Sequence, residues 1–349
     1  MPEGGWGATF SRDGGKAAYG AKKGDKWFVV LGDQKGAEFD EVQLIVFNRN
    51  GSKIAYGAKQ GDKAHMVLNG DLGPEFSAVG DPVFSPDGNR LAYRARQYPA
   101  VGPSMVVVVD GNAGPAFAMV DSPTFSPDNS KVAYTALPEL MTFSKGVLRP
   151  GTMRLFVGDK LETELAGIQY PTFSPDGRRL AYVALPDGVD GKMNLVVAGK
   201  RGPSFDEILD PVFSPDGTRV AYPARRGDKW FIILDGKEGP RFEMVGEPVF
   251  GPDGSRVAHG AKLGNKWSVA VDGQKGPEFD AVETPVFSPD GRTVAYRAKQ
   301  GDKWLMIVGD SRGPEFDRLG DPVFSPDGGK VAYGAQQGRE LWWKVMEVK

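Results

Sequence analysis

An all-β fold built from one repeated unit is predicted by three features: a phenylalanine-centred motif written nine times, apolar runs of strand length, and turn residues at fixed places between them. The motif is Phe213-Ser214-Pro215-Asp216-Gly217, carried on through Thr218-Arg219-Val220-Ala221-Tyr222. Its phenylalanine returns at Phe10, Phe47, Phe84, Phe125, Phe173, Phe213, Phe250, Phe287 and Phe324, at spacings of 37, 37, 41, 48, 40, 37, 37 and 37 residues. A period of this length marks a radial or linear array of identical supersecondary units. Residues 1–349 are therefore read as one periodic domain.

Each element of the unit can be taken from the copy at Pro211–Glu247. Pro211-Val212-Phe213-Ser214 is a short strand, A, and Pro215-Asp216-Gly217 is a turn, with φ preset by Pro and positive φ accepted by Gly. Arg219–Ala224 is strand B, and Trp230-Phe231-Ile232-Ile233-Leu234 is strand C. After a turn at Asp235–Gly239, strand D is expected over Arg241–Val245. Strands this short, joined by tight turns, form an antiparallel meander.

Continuous apolar runs such as Val106-Val107-Val108-Val109 imply sheets buried on both faces. Strand A carries a proline in seven copies (Pro82, Pro123, Pro171, Pro211, Pro248, Pro285, Pro322), which confines it to a sheet edge. Gly-Pro opens D at Pro74, Pro115, Pro203, Pro240, Pro277 and Pro314, as expected of the opposite edge. Doubly covered antiparallel sheets at this period predict a β-propeller of four-stranded blades, with A innermost. Nine copies predict nine blades. Eight would require a copy to drop out, and none is degraded enough. The ninth copy lacks a D strand, and residues 1–6 are expected to supply, or partly supply, that outer strand.

The Phe-Ser-Pro-Asp-Gly…Val-Ala-Tyr repeat resembles the WD-repeat-like motif of TolB and of prolyl oligopeptidase propellers, over nearly the whole chain. The resemblance implies a propeller and transfers no active site. The G-x-S-x-G elbow of the peptidases and room for their hydrolase domain are missing here. TolB-like proteins act as protein-binding parts of the bacterial periplasm, so an extracytoplasmic location is what the resemblance implies. A cytoplasmic one is expected if the chain is full length, since Met1–Trp6 has no signal-peptide pattern.

Composition narrows the function classes. Forty-three basic against 45 acidic residues give no basic surface for nucleic acid, and no apolar run is long enough for a membrane span. Zero cysteines exclude disulfides and thiolate chemistry, and two histidines, His65 and His259, fill slots that other copies give to aromatics. His/Cys metal sites and histidine triads are thus not predicted, and neither a cofactor nor catalysis is expected. The tryptophans at the start of strand C (Trp27, Trp230, Trp267, Trp304) are read as packing between blades rather than as a sugar platform.

Function is sought where the repeat varies. The B–C loops are short in copies 1, 2, 6, 7, 8 and 9 and long in copies 3, 4 and 5, at Arg96–Ser104, Leu137–Met153 and Leu185–Met193. Tyr98, Leu140, Met141, Phe143, Lys145 and Arg149 on these loops are candidate partner-binding residues. The alternative is that the longest loop packs over its neighbours as a cap. On the same face, Asp81, Asp121, Asp210, Glu247, Glu283 and Asp321 stand in the D–A link, inside a ring of B–C lysines (Lys26, Lys63, Lys229, Lys266, Lys303). These acids either attract a cation or basic peptide or simply solvate a turn before proline. The leading expectation is a monomeric, non-catalytic scaffold that binds a protein or peptide. A carbohydrate-binding or carbohydrate-active propeller using the acids is the alternative, and a mainly structural ring is the third reading.

Overall fold

The protein is described by a computed structural model covering residues 4–5, 8–98, 102–144, 147–185 and 191–348. Nine antiparallel sheets succeed one another among the described residues, each a meander in which strand B lies between A and C. The chain divides into two compact units, Met1–Pro171 and Thr172–Lys349. The first holds sheets one to four, and the second holds sheets six to nine and most of sheet five, whose strand A (Gly167–Phe173) carries the boundary.

The sixth sheet shows why this sequence forms this unit. Strand B, Val220–Arg226, is central and so buried on both faces, which accounts for Ala221 and Ala224: small residues let neighbouring sheets approach to about 10 Å. Strand C, Lys229–Leu234, pairs with it from Arg226↔Lys229 to Ala221↔Leu234. The C–D turn puts Asp235 and Gly236 at φ 51° and 80°, the type I′ geometry that suits a twisted hairpin. The A–B turn is tied by its own side chains. Ser214 Oγ donates to Asp216 Oδ1 at 2.5 Å and accepts from the Arg219 N–H at 2.9 Å. The insistently repeated motif is therefore a turn with an internal lock.

Each core cluster is shared by consecutive sheets. Ala181, Val183 and Leu195 of the fifth sheet pack against Phe205, Tyr222, Phe231 and Ile233. The arrangement recurs between sheets seven and eight around Phe279 and Tyr296, and between sheets one and two around Phe39 and Tyr56. Arginine at the start of B adds a polar tie. Arg219 Nε lies 2.9 Å from Asp235, while its Nη1 donates to the carbonyls of Gly254 and Ser255 in the next sheet's A–B turn, at 3.1 and 2.8 Å. Arg256 repeats this with Asp272 and the Arg292 carbonyl.

Three expectations are corrected. Strand D lies earlier than expected: it is Gln34–Phe39 in the first sheet and Ser311–Phe316 in the eighth, and in the sixth it runs from Lys237–Glu238 to a bridge between Phe242 and Trp230. The Gly-Pro pair expected to open the strand is in fact its middle. Strand A is correspondingly longer, and it is broken. In the seventh sheet Met244–Val245 pairs with the far end of B and Val249–Phe250 with the near end, and Pro248, which has no N–H to donate, lies between them. Finally, Gly4–Gly5 does not extend the ninth sheet: Gly4 pairs with Lys22 and Gly5 with Ala21 on the first sheet's own strand B. These glycines occupy the place that Ala78–Val79 fills in the third sheet, five residues before the motif phenylalanine. The rest of residues 1–6 lies outside the described set.

Candidate functional site

At the end of the sheets where the B–C loops emerge, the short turns are held by a device that joins neighbouring repeats. Asp40, one residue beyond strand D, accepts from Lys26 Nζ of its own sheet at 2.6 Å and from the Gly61 N–H of the next sheet's B–C turn at 2.6 Å. Asp280 does the same with Lys266 and Gly301 at 2.6 and 2.7 Å, and Asp317 with Lys303 and Gly338 at 2.5 and 2.6 Å. Asp206 takes Lys192 and Gly227. The lysine and the backbone donor together hold the Asp40 carboxyl below its ordinary pKa. The expected basic ring is therefore a set of paired groups: Lys63 meets Glu75 at 2.9 Å, and Lys229 meets Asp228 at 3.4 Å.

The clasp also marks where the surface departs from the repeat. The loops of repeats three, four and five are the long ones, and the residues preceding them at the clasp position are Ser77, Ala118 and Ala166 instead of aspartate. Loop length and loss of the acid thus change together. The signal was present in the sequence, but it joins positions 21 residues apart and is invisible until the contact is known.

In the fourth repeat the insertion is a two-stranded hairpin, Met141–Ser144 against Val147–Pro150. It leaves strand B at Leu137 and rejoins strand C at Met153. Its root is tight: a Cβ on Gly151 would lie 2.0 Å from the Glu139 carbonyl oxygen, so only glycine fits. Leu140 at this root is 58% exposed, and Tyr98 on the third repeat's loop is 48% exposed. Met141, Phe143 and Arg149 have backbone positions in the hairpin, while their side chains and Lys145 lie outside the described residues.

The six acids are not in a link between strands. They sit inside strand A, at its break, three residues before the motif phenylalanine (Asp81, Asp210, Glu247, Asp321) or four (Asp121, Glu283). All are exposed, and the proline that follows is buried in all six cases, at positions 82, 211, 248 and 322 and, one residue further on, at 123 and 285. Four of them have partners on a strand B, Asp81, Asp121 and Glu283 on that of their own sheet and Asp321 on that of the preceding one. Arg94 approaches Asp81 at 3.8 Å, Thr135 Oγ1 donates to Asp121, and Arg297 meets Asp321 at 2.9 Å and Glu283 at 3.9 Å. Asp210 and Glu247 face the corresponding positions Pro223 and Gly260, which offer no charge, and have no cation among the described residues. Burial, and then the neighbouring Glu247 carboxylate, push the Asp210 pKa up.

Both histidines are core residues. His259 Nδ1 lies 2.9 Å from the Gly260 carbonyl and its ring meets Phe242 edge-on at 5.8 Å; burial pushes its pKa down. His65 Nδ1 lies 2.9 Å from the Gly73 carbonyl. Trp27 and Trp304 are half-buried against the inter-sheet clusters, in keeping with packing. Among the described residues no three His, Cys, Asp or Glu side chains gather as a metal site, and no helix is long and apolar enough to cross a membrane.

Successive four-stranded antiparallel blades with shared cores define an all-β protein of the β-propeller class. No family profile and no curated protein matches the chain. Among solved structures it is similar to a eukaryotic initiation factor (13% identity, over 95% of this chain and 93% of that one, TM-score 0.49). It is also similar to TolB from Acinetobacter baumannii (18%, 86% and 81%, TM-score 0.31) and to the Dos1 propeller (12%, 88% and 93%, TM-score 0.38). Likenesses this distant carry no argument about function.

Proposed function

We propose that this chain is a non-catalytic propeller scaffold that binds a protein or peptide through the end of its sheets bearing the B–C loops, specialised over repeats three to five. The observation that carries the reading is the fourth repeat's hairpin. A random loop insertion would need neither a paired two-stranded body nor a glycine-locked root, and would leave the neighbouring clasp acid in place. Exposed Leu140 and Tyr98 give that surface apolar and aromatic contact area. The test replaces residues 138–152 by a Gly-Asp-Lys turn and compares partners crosslinked from the source cell. Loss of a partner with an unchanged circular-dichroism melt supports the proposal, and undiminished recovery of every partner sinks it.

A second reading, a carbohydrate-binding or carbohydrate-active propeller, is favoured by one observation: Asp210 and Glu247 lack cations, and Asp210 holds its proton more tightly than usual, as a general acid does. Glycan-array binding or turnover that disappears in Asp210→Asn and Glu247→Gln would establish it. Binding unchanged in both variants would remove it.

A further inference from the structure

We propose that the cavity between the first and second sheets binds a small aromatic carboxylate, its anionic head held by Lys16 and the Ala17 N–H and its ring laid against Phe47. The cavity lies within the first unit, beside the A–B turn at Gly51–Ser52 and the C–D turn at Asn69–Gly70, and is independent of the hairpin surface at the other end of the strands. Its volume is about 330 Å³, and Val29, Leu31, Phe47 and Ile54 form its apolar walls.

Charge sets it apart from the cavities at the same place in other repeats. Asp235, Glu238 and Asp272 border the one between sheets six and seven, and Asp110 and Asp159 the one between sheets three and four. Lys16, Lys35 and Lys53 border this one, and no acid does. Lys35 is turned to Glu38 at 2.5 Å, which leaves Lys16 and Lys53 as its cations. Among the described residues each has one carbonyl acceptor, that of Gly51 at 2.8 Å and that of Asn89 at 3.0 Å, so each ammonium keeps N–H groups to spare. Asp13, in the same A–B turn as Lys16, is engaged by Ser11 Oγ at 2.6 Å and by the Gly15 N–H at 3.0 Å.

Register shows what is missing. In the sixth sheet Asp235 joins two donors at the start of strand B, accepting from the Val220 N–H at 3.0 Å and from Arg219 Nε at 2.9 Å. Asp272 and Asp110 do the same in sheets seven and three. Lys16 and Ala17 stand where Arg219 and Val220 stand, and Gly32 takes the place of Asp235. The Ala17 N–H therefore has no acceptor among the described residues. Across the cavity Asn69 replaces Asp272. Its Oδ1 still accepts from the Ile54 N–H at 2.9 Å, but an amide donor stands where the second carboxylate oxygen would be. The Tyr56 hydroxyl also borders the cavity, and burial pushes its pKa up, so it remains a donor. Unmatched donors beside apolar walls cost free energy, and an entering carboxylate would relieve them.

Loss of arginine accounts for the ring. The guanidinium of Arg219 covers Phe250 at 6.0 Å, that of Arg256 covers Phe287 at 5.8 Å and that of Arg90 covers Phe125 at 5.4 Å, and all three rings are buried. Lys16 has no planar group to lay over Phe47, which stays half-buried at the cavity wall. A molecule with a carboxylate and a flat apolar body supplies both groups that this repeat has lost.

The test is isothermal titration calorimetry of the full-length chain with 2-naphthoate, 2-naphthamide and inorganic phosphate, together with amide hydrogen exchange. Saturable binding of 2-naphthoate is expected, with exchange slowed at Ala17. The uncharged 2-naphthamide should bind about tenfold or more weaker. Gly32→Asp returns the internal carboxylate at φ 57°, a conformation that Asp235 and Asp272 adopt at 51°, and should weaken 2-naphthoate binding about tenfold or more. Lys16→Gln should do likewise, and it decides the matter with the Ala17 exchange if Gly32→Asp does not fold. Absence of saturable binding, equal binding of 2-naphthamide, displacement of 2-naphthoate by equimolar phosphate, unaltered exchange at Ala17, or undiminished binding in folded Gly32→Asp or Lys16→Gln overturns the proposal.

Discussion

Phe205→Ala is the sharpest test of how the sheets are held together. Phe205 ends strand D of the fifth sheet, is 0% exposed, and meets Tyr222 of the sixth sheet edge-on at 6.3 Å and 77°. Burial of roughly 150–250 Å² of such a side chain, at about 25 cal/mol per Å², is worth about 4–6 kcal/mol as an upper bound. Truncations of buried phenylalanine cost about 3–5 kcal/mol. A loss of about 4 kcal/mol is therefore expected in urea unfolding followed by tryptophan fluorescence. Tyr222→Leu in a double-mutant cycle should give a coupling of about 1 kcal/mol from the edge-on ring pair. Phe10→Ala serves as the control: the same residue type, 64% exposed in strand A, should cost about 0.5 kcal/mol or less. A Phe205→Ala loss below about 1.5 kcal/mol, or a Phe10→Ala loss as large as that of Phe205→Ala, would refute the view that the D-strand phenylalanine welds each sheet to the next.

Two further predictions concern pH. The turn aspartates Asp13, Asp87, Asp128, Asp176, Asp216, Asp253, Asp290 and Asp327 all titrate below their ordinary value, chiefly through the serine hydroxyl in most copies and through Ser255 at Asp253. Asp216 lies at about 2 against an ordinary 3.8, so its contribution is complete above pH 3.8 and is lost as pH falls toward 2. The urea midpoint should drop between these limits, and Asp216→Asn should flatten one copy's share; an unchanged slope would contradict the lock. His259 is depressed in the folded state by burial, so it favours folding above its ordinary pKa of 6.5 and costs stability as pH falls below it. His259→Tyr, the residue every other repeat carries there, should remove that part of the pH dependence, as thermal melts at pH 7.5 and 5.5 will show.

The repeat, the four-strand unit, the A–B turn and the arc of long loops were all legible in the sequence. Each is written within a single repeat, as a spacing, a proline or a glycine. The misplaced elements have a common cause: their partners lie in another segment. Gly239-Pro240 reads as the opening of strand D and not its middle because the preceding Lys237 and Glu238 lack apolar side chains to mark a strand, and their partners Leu234 and Ile233 lie across the C–D turn. Glu247 and Asp210 read as linker because the break in strand A hides that both flanks pair with strand B. Lys26 reads as a free cation because Asp40 is 14 residues away. Side-chain pairing across repeats leaves no local period to detect.

The aspartate clasp bears on how such a surface can be rebuilt. A turn in this protein is specified partly by a residue in the preceding repeat, so moving the fourth repeat's hairpin onto the eighth is a two-site edit. Inserting it at Gly301 alone would leave Asp280 with Lys266 but without the backbone N–H that it now accepts. Pairing the graft with Asp280→Ala would reproduce the arrangement that repeats three and four already carry at Ser77 and Ala118. The grafting rule follows: the acceptor loop and the carboxylate one repeat upstream are exchanged as a single cassette.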